Sequence, residues 1–307
     1  MSFLSLTLAL LLEQWRPLVD RRAVFAPMAA YAGFLERQLN VGQPMPGVLA
    51  WFAAVVPTLV VTWILYGALY AVSPLLGLAF NVAVLYATIG FRQQSHRFSE
   101  IQRALREGDL EGARRALAEF RGHDCSALSA SEVSRLAIED ALAVAYRHVL
   151  APALWFVVLP GPAGAVLYRA AAFLARHWGA RPDPDVTEFG AFARRAFAAI
   201  DWVPARATAL TFAVVGDFED ALYCWRTQAG RWVDPLLGVV LAAGAGAMGV
   251  RLGGGFAAAG RMEERPELGA GEDADTAFLD SAIGLLWRSL VAWLALLLVL
   301  SLTAALA

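Results

Sequence analysis

The sequence contains no lysine: all 25 basic residues are arginine. That excludes a nucleotide-binding loop of the Gly-Lys-Ser/Thr kind, a Schiff-base lysine and a lysine general base. Cysteine is almost as scarce, and Cys125 and Cys224 provide neither a disulfide framework nor a CxxC site. Charge is thin altogether, at 17% of residues against 59% hydrophobic, with a mean hydropathy of +0.54. The net charge of −2 leaves no basic footprint for nucleic acid, which is excluded as the main partner.

What the chain does have is long apolar runs. Residues 38–91 carry no charged side chain. As helix they would extend roughly 80 Å at about 1.5 Å per residue, against a bilayer core about 30 Å thick. The run is too long for one crossing and right for two. Ser73-Pro74 marks the turn, because the residue before a proline is pushed out of the helical region. Residues 49–70 and 75–91 are therefore expected to form a transmembrane hairpin. Residues 2–12 are apolar without the basic start and cleavage site of a signal peptide, which predicts a retained first membrane helix. Residues 149–168, interrupted by Pro160-Gly161-Pro162, form a third uncharged run, and 289–307 a C-terminal one. Two more, 207–216 and 235–250, are too short to cross alone. They are either re-entrant or belong to spans completed by paired polar residues. The fold class expected is an all-α polytopic transmembrane bundle of about five to seven membrane segments, whose tryptophans fit interfacial belts and core packing.

The polar regions read as helical too. Ser99-Glu100-Ile101-Gln102 and Ser129-Ala130-Ser131-Glu132 both match a capping box. Gly108-Asp109 breaks one helix and starts a second, whose apolar face is Leu110, Ala113, Leu117 and Phe120. Residues 92–148 are thus expected to be an extramembrane helical hairpin with a connector, the third helix reaching the membrane near Pro152. The arginines crowding the hairpin exit place this region in the cytoplasm. Residues 259–286, acidic and glycine-containing, read as a mobile linker. His123-Asp124-Cys125 reads as a loop, since Cys125 has no partner at metal-ligand spacing, and no metal site is assigned. His96 and Glu100 read as a solvated surface pair.

Several segments, taken in order, carry a resemblance. They are 103–117 (Arg-Ala-Leu-Arg-Glu-Gly-Asp-Leu-Glu-Gly-Ala-Arg-Arg-Ala-Leu), Arg121-Gly122-His123-Asp124, 150–155 (Leu-Ala-Pro-Ala-Leu-Trp) and 164–168 (Gly-Ala-Val-Leu-Tyr). Asp201-Trp202-Val203-Pro204-Ala205-Arg206 and Gly249-Val250-Arg251-Leu252-Gly253-Gly254 complete the set. Together they resemble the CobD/CbiB family of cobalamin-pathway membrane proteins and its AmpE branch. The resemblance to the family's enzymes implies an ATP-dependent amide synthesis joining adenosylcobyric acid to an aminopropanol-type amine. It would use ATP and Mg²⁺, with the metal held by carboxylates.

Departures from the enzymes' pattern point to the AmpE branch. The early Gly-Asp-Pro and His-Pro signatures are absent, Leu12-Glu13-Gln14-Trp15 standing in that region. The Glu-Asn…Asp-Gly segment stands here as Ala145-Tyr146-Arg147-His148-Val149, the Asn-Thr-Leu-Asp stretch as Ala172-Phe173-Leu174-Ala175, and Arg-Leu-Asp-Asp as Arg195-Ala196-Phe197-Ala198. The AmpE branch shares the Leu10–Glu13 pattern and the Asp201-Trp202-Val203-Pro204 motif. That likeness implies an inner-membrane protein of regulatory type, associated with cell-wall recycling and β-lactamase induction.

The residues matched by the resemblance supply the candidate ligand-binding set: Arg121, Gly122, Asp124, Asp201, Arg206, Arg251, Gly253 and Gly254. Glycines after a helix offer N–H groups to an anion and Arg251 adds a bidentate donor; the alternative is a helix exit with an interfacial arginine. Asp201 and Arg206 read either as an ion pair or as part of a polar cavity. If the ends of the short apolar runs meet, Asp201 offsets one arginine and the other holds an anionic small molecule. The partners expected are the lipid bilayer and that anion, with self-association left open.

Overall fold

The computed structural model describes residues 2–16, 21–40, 44–90, 92–179, 184–258 and 261–306. Ser73 does what Ser73-Pro74 predicts. It lies in extended conformation between α3 (Pro44–Val72) and α4 (Pro74–Thr88), and its hydroxyl accepts the Leu75 N–H at 3.3 Å. An N-cap followed by proline at the first helical position is a strong restart signal. Among the described residues, four helical stretches are long and apolar enough to cross a bilayer: Met45–Val72, Ala130–Val158, Phe189–Val215 and Thr276–Thr303. Three shorter apolar helices accompany them, α1 (Ser2–Trp15), α4 and α12 (Pro235–Met248). Of the described residues 83% are helical, and the all-α polytopic transmembrane bundle is the fold class the sequence predicts.

The boundaries depart from the sequence reading in instructive places. Residues 207–215 are the end of α10 (Pro184–Val215), a helix long and apolar enough to cross that carries Asp201 and Arg206 inside it. Residues 149–168 are two helices: α8 (Ala151–Val158) stops, the chain turns through Gly161 at φ 66°, and α9 (Ala163–Gly179) begins. The third helix of the polar region, α7 (Ala130–Ala145), continues through a π-helical turn, Tyr146–Leu150, into α8, so one helical stretch runs from Ala130 to Val158. Ser129 and Glu132 do form the capping box of α7. Ser99 does not cap; it lies inside α5 (Arg92–Arg106), because nothing in the residues before it interrupts the helix.

The chain divides into two units. The first holds the described residues of 1–90, 151–204 and 300–307, including α1, α2 (Arg21–Leu39), α3, α4, α8 and α9. Its core joins Ala32 and Leu35 of α2, Trp51 and Val55 of α3, Leu174 and Trp178 of α9, and Phe189 of α10. Trp51 meets Phe192 and Trp178 meets Phe189 edge-on, at 5.6 and 5.2 Å between ring centres, the geometry aromatic quadrupoles favour.

The second unit holds the described residues of 91–150 and 205–299. Asp109 caps α6 (Leu110–Arg121) after the Gly108 break, and α5 and α6 pack on each other and on α7. Helix α12 is buried along nearly its whole length against α11 (Phe218–Gln228). A β-carbon on Gly246 would stand 2.4 Å from the Asp220 carbonyl, so the small residues of α12 set this distance. After α12 come β1 (Val250–Gly253), β2 (Phe256–Ala258), β3 (Arg261–Glu263), β4 (Glu267–Leu268) and β5 (Glu272–Asp273), then α13 (Thr276–Leu306). β1 is central, antiparallel to β4 and parallel to β5; β2 and β3 form a separate hairpin.

The described part of the acidic segment, read from the sequence as a mobile linker, is therefore strands and the start of a helix. The Gln228 side chain brackets Gly269 by donating to its carbonyl at 3.1 Å and accepting its N–H. Gln102 donates to Asp280 at 2.8 Å, and Arg106 pairs with the same carboxylate. These long-range bonds order a segment whose local composition says nothing about them.

Candidate functional site

Arg121 is the last residue of α6, where Gly122 takes the left-handed conformation (φ 75°) that ends the helix. Its guanidinium reaches α7 and holds Asp140 with two parallel bonds, Nε to Oδ2 at 2.7 Å and Nη2 to Oδ1 at 2.8 Å. The preceding residue, Glu139, lies 3.7 Å from the same guanidinium. Glu139 is in turn gripped by Arg265, at 2.8 Å to Oε2 and 3.3 Å to Oε1. Its Oε1 also accepts the Gly253 N–H at 2.8 Å. The Phe256 ring lies 4.6 Å from the Arg265 guanidinium and 5.9 Å from that of Arg121, and Trp232 lies 5.2 Å from Arg265.

Two guanidiniums and two carboxylates thus balance one another in a largely buried cluster, with Glu139 only 3% exposed. Such charges are tolerated out of water because each is paired and hydrogen-bonded. Burial pulls the Arg121 pKa down, but the Asp140 charge and hydrogen bond, helped by Glu139, hold it above its ordinary value. The aromatic faces add attraction for the cations while excluding water.

Gly253 is where the main chain enters this cluster. It sits at φ 72°, and a β-carbon there would stand 2.1 Å from the Pro266 carbonyl oxygen, so only glycine fits. The Gly254 N–H goes to that same oxygen at 3.2 Å, and Arg135 donates to Gly255 O at 2.8 Å. Of the turn's N–H groups, that of Gly253 meets an anion, the protein's own Glu139, while that of Gly254 goes to the Pro266 carbonyl.

The other candidate residues lie elsewhere. Asp124 is exposed and accepts from the Ser126 N–H and hydroxyl, both at 2.9 Å; the main-chain bond is the chief reason its carboxyl sits below the usual range. Asp201 is 1% exposed and accepts the Tyr168 hydroxyl at 2.8 Å, within the first unit. Five residues on, Arg206 stands roughly 140° away around the same helix at 3.6 residues per turn, so α10 turns the two side chains to different sides. Arg251 pairs with Asp273 at 3.0 Å through side chains 47% and 77% exposed, a surface bridge on the β1–β5 edge. Of the eight candidates, Arg121 and Gly253 meet through Glu139, with Gly122 and Gly254 as their chain neighbours.

Glu139, Asp140 and Arg265 were not anticipated. The available signal was the acidic pair itself, two adjacent carboxylates flanked by Leu136, Ala137, Ile138, Ala141 and Leu142, which require partners if that face is buried. Among the described residues no group of three His, Cys, Asp or Glu side chains gathers as a metal site.

The family model described as CobD/Cbib protein matches residues 6–286. A protein named "Cobalamin biosynthesis protein CobD" from Stutzerimonas stutzeri (strain A1501) is 36% identical over 300 residues, covering 96% of this chain and 97% of its own. The protein of the same name from Chromobacterium violaceum is 36% identical over 304 residues, covering 96% and 95%. One from Mycobacterium tuberculosis (strain H37Rv) is 32% identical over 210 residues, covering 67% and 66%. No solved structure matches. With the match running from α1 into α13 and two relatives aligned end to end, the chain belongs to the CobD/CbiB family.

Proposed function

We propose that this multi-pass membrane protein works in cobalamin biosynthesis, in the inner membrane, at the amide-forming step that its family likeness implies. The observation that carries this reading is the pair of relatives named for cobalamin biosynthesis, aligned over 96% of the chain. They favour it over a regulatory role of the AmpE kind. In this reading a corrinoid carboxyl is activated at the expense of ATP and captured by an amine. The groups of this chain suited to the work are Arg121 and Arg265, whose guanidiniums offer paired donors to a carboxylate or a phosphate. Glu139 and Asp140 hold them oriented, and a substrate anion entering the cluster would exchange with one of these carboxylates.

A resident Mg²⁺ does not fit the cluster as it stands. Mg²⁺ takes carboxylate and water oxygens in near-octahedral geometry, whereas Glu139 and Asp140 are both held by arginines. No step is assigned to such an ion.

One specific observation favours the regulatory reading. The segment where the family's enzymes carry Glu-Asn…Asp-Gly stands here as Ala145–Val149, and Arg147 within it is paired with Asp234. The two readings separate in a strain lacking its own adenosylcobinamide-forming protein. Expression of this chain should restore growth on cobyric acid, and Arg265→Ala should abolish it while the protein still reaches the membrane. No rescue by membrane-inserted wild-type protein would overturn the enzyme reading in favour of the regulator.

A further inference from the structure

A second cavity lies entirely within the first unit, between α2, α3, α4 and α9. It measures about 350 Å³ and is lined by Phe25, Met28, Tyr31, Thr58, Thr88, Val166, Arg169 and their neighbours. The wall is mostly apolar. Its three hydroxyls are engaged with main-chain carbonyls: Tyr31 to Ala53 at 3.2 Å, Thr58 to Ala54 at 2.8 Å and Thr88 to Val84 at 2.8 Å. Among the described residues lining the cavity, Arg169 is the charged one. It is 7% exposed and lies 5.2 Å from the Phe25 ring centre.

We propose that this cavity binds a single-chain amphiphile with an anionic head, a phosphate or carboxylate on Arg169 and an alkyl chain along Met28, Val166 and Phe25. The charge of the wall selects the head, since a guanidinium is a donor-only, permanently cationic group matched to planar or tetrahedral oxyanions. The apolar lining selects the tail. The volume lies at the low end of ligand pockets, about 300–1,000 Å³, which suits one chain and not a diacyl lipid. Access is from the α2 side, where Tyr31 is 39% exposed. Next to it runs α3, a helix long and apolar enough to cross a bilayer and only 22% buried over its most apolar 18 residues. Arg169 is buried, and it belongs to no part of the Arg121–Glu139 cluster.

The test uses the full chain in nanodiscs of neutral phosphatidylcholine, with thermal stability read against decyl phosphate, decanol and inorganic phosphate. Decyl phosphate should stabilise with an apparent affinity about 10–100-fold tighter than decanol, the usual size of a charge-assisted contact. Inorganic phosphate should have little effect. Arg169→Gln should erase the difference between decyl phosphate and decanol. Val166→Trp, which fills the cavity and leaves the arginine in place, should abolish stabilisation by both. If Arg169→Gln does not fold, the comparison of ligands on wild type and Val166→Trp decides alone. Equal response to decyl phosphate and decanol, saturation by inorganic phosphate without a tail, or an undiminished response in Val166→Trp would each overturn the proposal.

Discussion

Arg121 and Asp140 are joined by two parallel hydrogen bonds of 2.7 and 2.8 Å, binding the last residue of α6 to the middle of α7. Both side chains are largely buried, 14% and 20% exposed. Removing one partner therefore leaves a buried charge without its bidentate partner, facing only a more distant one such as Glu139, 3.7 Å from Arg121. Asp140→Ala should destabilise the second unit by about 3–5 kcal/mol. The double change Arg121→Met, Asp140→Leu should recover most of that loss, because a buried ion pair is replaceable by packed apolar groups. Unfolding in detergent, followed by near-UV circular dichroism, would show whether the two single losses are non-additive. Additive losses would mean that the pair does not act as one.

Glu139 and Gly253 offer a sharper distinction. Glu139→Gln keeps an oxygen to accept the Gly253 N–H but no longer neutralises Arg265, so stability should fall while the β1 turn survives. Gly253→Ala should act through the main chain instead, since the residue sits at φ 72° with its β-carbon 2.1 Å from Pro266 O. Backbone strain of this kind amounts to roughly 1–3 kcal/mol before any clash. Hydrogen exchange at Leu252 and Leu268, paired across β1 and β4, should rise in Gly253→Ala and stay near wild type in Glu139→Gln.

What was legible in the sequence was what short segments decide. The charge-free run with Ser73-Pro74 gives α3 and α4, and Ser129-Glu132 and Asp109 fix two helix starts within a turn of their own position. The Ser99 box failed because a capping motif competes with helix on both sides and here lost to continuation. The cluster was half legible: Arg121 and Gly253 stood out by motif, whereas Arg265 meets Glu139 across 126 residues of chain. The acidic segment was misread for the same reason. Its glycines and carboxylates look like a linker until Gln228 brackets Gly269 and Asp280 meets Gln102 and Arg106. Arg251 was recognised as a candidate, but the parallel register of β1 and β5 sets it beside Asp273.

Orientation is open to direct labelling. Cys125 and Cys224 are both buried, and burial pushes both thiols up, so the native background should be silent. Arg115→Cys, exposed on α6, should react with an impermeant maleimide only after the membrane is permeabilised. Val72→Cys, at the far end of α3 and 77% exposed, should react from outside intact cells. The opposite pattern would reverse the topology that the arginine distribution predicts.

Tyr168 and Asp201 provide the test of the first unit. Both are essentially solvent-free, and the phenol donates to the carboxylate at 2.8 Å between α9 and α10. Tyr168→Phe removes that donor with almost no change in volume, and should destabilise by about 1–3 kcal/mol, the usual size for a hydrogen bond to a charged group. Asp201→Asn retains an acceptor and should lose less than Asp201→Ala, which also opens a gap beside Phe197, whose ring lies 5.6 Å from that of Tyr168. A double-mutant cycle of Tyr168→Phe with Asp201→Asn should return a coupling energy above about 0.5 kcal/mol. A value indistinguishable from zero would mean that Asp201 is held in place by its other surroundings and that the phenol is incidental to it.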